Sequence, residues 1–262
     1  MAEVQNRAVS LDEVQTHEYD RLVTGITGLD RVTGGGFVKG SLLLLGGDPG
    51  TGKSTLLMQV AKSIESNGGK VLYVSGEESK NQIKMRATRL GITSRDIYIV
   101  DDSNVDVIYE CIEDIQPDLL IVDSIQTITS SESTGAMGGV NQIKDAIQHL
   151  MKIAKRQGLT TIVVGQVNKD GTIAGPKILE HMVDGVLYLM GNREETFRQL
   201  MAIKNRFGST QERGNFEMGP HGLEDKECGS NPKKKKKSWV SKIFLAMLIF
   251  WLIGMITYFG GR

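Results

Sequence analysis

Cysteine is almost missing from this sequence. Cys111 and Cys228 are the only two in 262 residues, which excludes a four-cysteine zinc site and a disulfide framework and suits a reducing compartment. No apolar N-terminal segment resembles a signal peptide, and no internal repeat is visible. Acid is missing from Asn231 onward, where seven cations lie. The even balance of 31 Lys+Arg against 31 Asp+Glu therefore hides an asymmetry, because residues 1–230 hold 24 cations against 31 acids, a formal charge of −7. A body that acidic is not a general polyanion binder, so any nucleic-acid contact must come from a local basic lining. About 230 residues suit one α/β domain with a sizeable core.

Long apolar runs are lacking too, with one exception. In "KKKKKSWVSKIFLAMLIFWLIGMITYF" five lysines, Lys233 to Lys237, precede seventeen uncharged residues, Ile243 to Phe259, with Thr257 their single polar side chain. This stretch has no polar face for water, as a surface helix needs. At about 1.5 Å per residue it reaches about 26 Å, close to a ~30 Å hydrocarbon core once Val240 and a snorkelling Lys242 are added. Trp239 and Tyr258 stand at the two expected interfaces, and the lysines place the preceding residues in the cytosol. The expectation is a cytoplasmic domain held to the cell membrane by a single C-terminal span.

Short apolar runs alternate with helical patterns through the body, as in parallel strands joined by crossover helices. The runs are Ser41 to Leu45, Val71 to Ser75, Ile97 to Val100, Leu119 to Val122 and Thr160 to Val164. Gly185 to Met190 and Phe197 to Ile203 read as an antiparallel extension. The polar residues 1–22 read as an arm, with Ser10 and Glu13 spaced as a capping box. Met218 to Pro232, rich in Gly, Pro and charge, reads as linker. The expected organisation is an arm at 1–22, an ATPase domain at 23–224, a basic linker at 225–242 and a transmembrane anchor at 243–259.

The chemistry begins at "GGDPGTGKST". Gly47, Gly52, Lys53 and Ser54 fit G-x-x-x-x-G-K-[ST], in which backbone N–H groups cradle phosphates, the lysine reaches the terminal phosphates and the hydroxyl binds Mg²⁺. Gly47, Asp48, Pro49, Gly50, Thr51, Gly52, Lys53, Ser54 and Thr55 form the candidate ATP-binding loop. "DLLIVDS" ends a buried strand on Asp123, where a carboxylate can hold the Mg²⁺ water shell beside Ser54. In "VLYVSGEES", Glu77 and Glu78 follow another strand emerging at the same edge, where a carboxylate could polarise the attacking water. Gln166 ends "TTIVVGQ", where an amide can sense the γ-phosphate or simply cap a turn.

These blocks, with "TGITGLDRVTGGGFVKGS", "AGPKILEHMVDGVLYL" and above all "KNRFGS", resemble the RadA/Sms family of bacterial DNA-repair ATPases over roughly Val9 to Glu224. The resemblance implies a RecA-like α/β core with a mainly parallel sheet and Glu77 as catalytic base. It further implies a hexameric ring of this chain that binds single-stranded DNA and drives branch migration of recombination intermediates. By the same resemblance the "KNRFG" residues Lys204, Asn205, Arg206, Phe207 and Gly208 act at a subunit interface or on DNA. DNA would lie against two loops, Thr127 to Asn141, which has no cation, and Val167 to Lys177, which supplies Lys169 and Lys177; a ring repeats those two lysines around its channel. The family pattern begins with a zinc finger and ends with a Lon-protease-like domain, neither of which this sequence contains, and where it usually reads "GHVTKEG" this chain has "GQVNKDG". A competing expectation is an ATP-gated oligomeric switch or scaffold at the membrane, without motor work on DNA.

Overall fold

The computed structural model describes Ser10 and residues 19–130, 138–165, 178–192 and 194–226. The chain falls into two units, 1–225 and 226–262, and of the second only Lys226 is described. The elements, in chain order, are β1 (Arg21–Leu22), α1 (Thr27–Thr33), β2 (Phe37–Val38), β3 (Leu42–Gly46), α2 (Lys53–Ser66), β4 (Val71–Ser75), α3 (Lys80–Arg89) and β5 (Ile97–Val100). They continue with α4 (Val105–Ile115), β6 (Leu119–Asp123), α5 (Val140–Gln157), β7 (Thr160–Val164), α6 (Ile178–Met182), β8 (Gly185–Met190), β9 (Phe197–Asn205), β10 (Arg213–Gly219) and β11 (Gly222–Lys226).

Nine strands make one sheet in the order β11-β10-β9-β8-β3-β7-β6-β4-β5. Its centre is parallel, with β3 between β7 and β8, and β6 between β7 and β4. Strands buried on both faces need apolar side chains at successive positions, and "LLLL" of β3 and "LLIV" of β6 supply them. Alternation then sends neighbouring residues to opposite layers. Leu43, Leu45, Tyr73, Ile121 and Ile162 pack against Leu56, Leu57 and Val60 of α2 and Ile83 of α3. Leu42, Leu44, Leu72, Val122 and Val163 pack against Ile108 and Ile112 of α4 and Ile143, Ile147 and Leu150 of α5.

Three expectations need correcting. β8 is parallel to β3, with Leu43 opposite Gly185, so the antiparallel wing begins only at β9. The stretch from Met218 is not linker as far as Lys226, because β10 and β11 extend the wing. Their charged outward positions mask the burial of Phe216 and Leu223. Arg21 and Leu22 belong to the domain rather than to an arm, since β1 pairs antiparallel with β2. Among the described residues no helix is long and apolar enough to cross a membrane. The segment 243–259, the rest of the tail and Glu13 of the capping box lie outside the described residues.

Candidate nucleotide site

The turn from β3 into α2 closes tightly over the sheet. Gly47 has φ 147°, and a Cβ there would stand 2.4 Å from the carbonyl oxygen of Leu189 on neighbouring β8. Glycine is required because no side chain can share that space. Asp48, Pro49 and Gly50 are exposed, whereas Thr51 is buried and its hydroxyl donates to the Asp48 carbonyl at 2.9 Å. The N-terminus of α2 has Gly52 as its cap and no side-chain acceptor on its first N–H groups. Those unsatisfied donors and the helix dipole make it a ready anion site.

Lys53 opens α2 and is 9% exposed. Its ammonium donates to the carbonyls of Gly47 at 2.7 Å and Asp48 at 3.0 Å. Burial lowers its pKa, opposed by the charges of Asp123, Asp48 and Glu77. Those three carboxylates, whose charges act on one lysine, come from three separate segments: the phosphate loop, the end of β6 and the turn after β4. Ser54 follows in the first turn of α2, half-buried.

Asp123 ends β6 on the α2 side of the sheet, two residues beyond Ile121 of that core layer. One carboxylate oxygen accepts a hydrogen bond from the Tyr73 hydroxyl at 2.9 Å. Burial pushes the Tyr73 phenol well up, so it stays a donor. Ser124 donates to Glu77, which brings the β4 and β6 termini together on the nucleotide side. Glu78 instead forms an ion pair with Arg86 of α3. The two adjacent glutamates are thus separated: one faces the end of β6, the other is committed to a helix. Tyr73, Ser124 and Arg86 were not singled out in the sequence, where Tyr73 reads as one more apolar strand residue.

The "KNRFG" residues sit elsewhere. Gly46 at the start of the loop pairs with Tyr188, whereas Leu43 pairs with Gly185, which faces Asn205. Three residues at about 3.3 Å each put the motif about 10 Å down the sheet from its own chain's loop. Lys204 donates to the carbonyls of Glu180 and Val183, both at 2.7 Å, closing the end of α6; burial lowers its pKa, helped by Arg206. Arg206 pairs with the buried Asp184 at 3.0 Å, as does Lys155 at 2.7 Å. Asn205 accepts from the Phe207 amide at 3.0 Å, and the Phe207 ring meets Tyr19 edge-on at 4.9 Å. Gly208 closes the motif beside Gly34 of the α1 turn. Gln166, Lys169 and Lys177 lie outside the described residues, as do residues 131–137 of the first proposed DNA loop.

The residues present fit a magnesium nucleotide: an uncapped helix start, a lysine satisfied only by loop carbonyls, and a hydroxyl and a carboxylate on the same side of the sheet. The family model described as AAA domain matches residues 10–172. The chain is 52% identical over 223 residues to the DNA repair protein RadA of Streptococcus pyogenes, covering 85% of this chain and 49% of that one. It is 49% identical over 213 residues to the RadA of Bacillus subtilis, covering 81% and 46%. The chain thus spans about half the length of the curated relatives it matches. A solved KaiC-like protein from the archaeon Pyrococcus horikoshii superposes with a TM-score of 0.66 at 28% identity, covering 80% of this chain and all of that one.

Proposed function

The chain belongs to the RadA/Sms family, whose core is the RecA-like AAA domain, and from that premise we propose that it hydrolyses ATP in the service of DNA repair and recombination. The observation that carries this reading is the buried Lys53 on the Gly47 and Asp48 carbonyls at the start of α2, with Asp123 ending β6 and Glu77 held by Ser124 beside it. Backbone N–H groups from Gly47 to Thr55 cradle the phosphates and Lys53 neutralises the terminal ones. Ser54 and Asp123 are the residues that would hold Mg²⁺, which would screen charge on the transferring phosphoryl group. Glu77 takes the proton of the attacking water, because Glu78 is tied to Arg86. Gln166 senses the γ-phosphate.

Lys204 and Arg206 lie at the end of the sheet away from their own loop, so their nucleotide role belongs to a neighbouring subunit. This supports a hexameric ring of identical chains. β6 and β7, which the stretches 127–141 and 167–177 follow in the sequence, end on the nucleotide side, and Lys169 and Lys177, repeated around the ring, supply the basic lining for single-stranded DNA. The relatives' role in DNA repair supports this assignment. Stimulation of hydrolysis by single-stranded DNA tests it.

The tail completes the proposal. Residues 243–259 anchor the ATPase to the membrane, and Lys233 to Lys237 attract anionic headgroups at about 1 kcal/mol each. Fractionation of cells holding the full-length chain should find it with the membranes, and removal of residues from Ser238 onward should release it. A full-length chain recovered wholly in the soluble fraction overturns the anchor.

A further inference from the structure

Arg198 lies in β9, outside every motif that the sequence offers. It is 3% exposed. Its Nε donates to the Thr51 carbonyl at 2.9 Å, and NH1 donates to the carbonyls of Phe197, at 2.8 Å, and Glu195. Among the described residues all its acceptors are main-chain carbonyls, and no carboxylate forms an ion pair with it. The β8–β9 connection makes room for the side chain: a Cβ on Gly191 would stand 2.2 Å from Arg198 Cδ.

A buried charge is costly unless an opposite charge balances it. Carbonyl dipoles satisfy the N–H groups of a guanidinium but leave its formal charge in place. Thr51 belongs to the phosphate loop, so this charge presses on the loop from behind. Lys53 lies on two other carbonyls of the same loop. Two buried cations thus flank one short stretch of main chain, and both are hydrogen-bonded to carbonyls alone.

We propose that Arg198 is a positioning residue for nucleotide, fixing the Thr51 peptide while its buried charge is balanced by the polyphosphate that the loop receives. The inference rests on the ATP-binding reading above. It differs from a packing role in one measurable respect: an arginine that only braces the loop affects all nucleotides alike, whereas an unbalanced charge favours the ligand with more negative charge.

The test titrates fluorescent ATP and ADP analogues into the full-length chain, into Arg198→Gln and into Arg198→Lys, with melting temperatures measured without nucleotide. Arg198→Gln keeps a donor and removes the charge. It should bind the ATP analogue about tenfold more weakly or worse, the scale of one charge-assisted contact, and lose clearly less affinity for the ADP analogue. Its melting temperature without nucleotide should not fall, because an unbalanced buried charge has gone. Equal losses for the two analogues, or no loss, overturn the inference. If Arg198→Gln does not fold, Arg198→Lys decides: it should keep the wild-type preference for ATP over ADP, and loss of that preference overturns the charge role. A wild-type chain that binds neither analogue overturns the ATP reading itself and this inference with it, which distinguishes the two failures.

Discussion

Lys53→Ala should lose tight ATP binding and lower turnover by at least about 10²-fold, the scale of removing one preorganised donor from a transferring phosphoryl group. The remaining loop N–H groups are partial charges, and they cannot neutralise the terminal phosphates alone. The fold without nucleotide should survive, because the ammonium that disappears is one whose burial already disfavours its charge. Equilibrium binding and a melting curve without ATP separate the two effects. The position of Arg206, remote from its own loop, adds a second expectation. An Arg206→Ala chain with an intact Lys53 should restore activity when mixed with the Lys53→Ala chain, because some interfaces then pair a good loop with a good arginine. Two dead proteins that stay dead together argue for a role of Arg206 within its own chain, where it already pairs with Asp184, or in DNA binding.

Glu77→Gln should retain magnesium ATP and lose about 10²- to 10⁴-fold in turnover, the range of a general base. The amide preserves the acceptor for Ser124 but cannot take a proton from water. Glu78→Gln should behave differently. It breaks the pair with Arg86, whose NH1 is already buried without a hydrogen-bond partner, and so should lower the melting temperature more than the chemical rate. Single-turnover hydrolysis with both variants distinguishes the glutamates. Fast chemistry in Glu77→Gln with slow chemistry in Glu78→Gln would reverse their roles.

The parallel centre of the fold was legible because strands buried on both faces leave continuous apolar runs, and β3, β4, β6 and β7 all have them. The wing was harder to read. β10 buries Phe216 while Asn215 and Glu217 alternate with it at half-exposed positions, so a strand of the wing lacks the continuous apolar run of the central strands. β8 is legible as a strand but its direction is not, since an apolar run carries no information about which neighbour it joins. In the site, the phosphate loop follows from residue spacing alone. Tyr73 and Ser124 do not, because their partners are fixed by the register of β4 against β6. Arg198 does carry a signal in the sequence: it shares an inward-facing period with Leu200 and Ala202 of β9, where an arginine needs a reason to be buried.

Steady-state ATP hydrolysis by the full-length chain, with and without single-stranded DNA, bears most directly on the central claim. A rate that rises with DNA, and whose stimulation weakens with added salt as phosphate contacts require, is the predicted result. Hydrolysis at the same rate whether or not DNA is present would contradict the claim and leave the chain an ATP-gated switch.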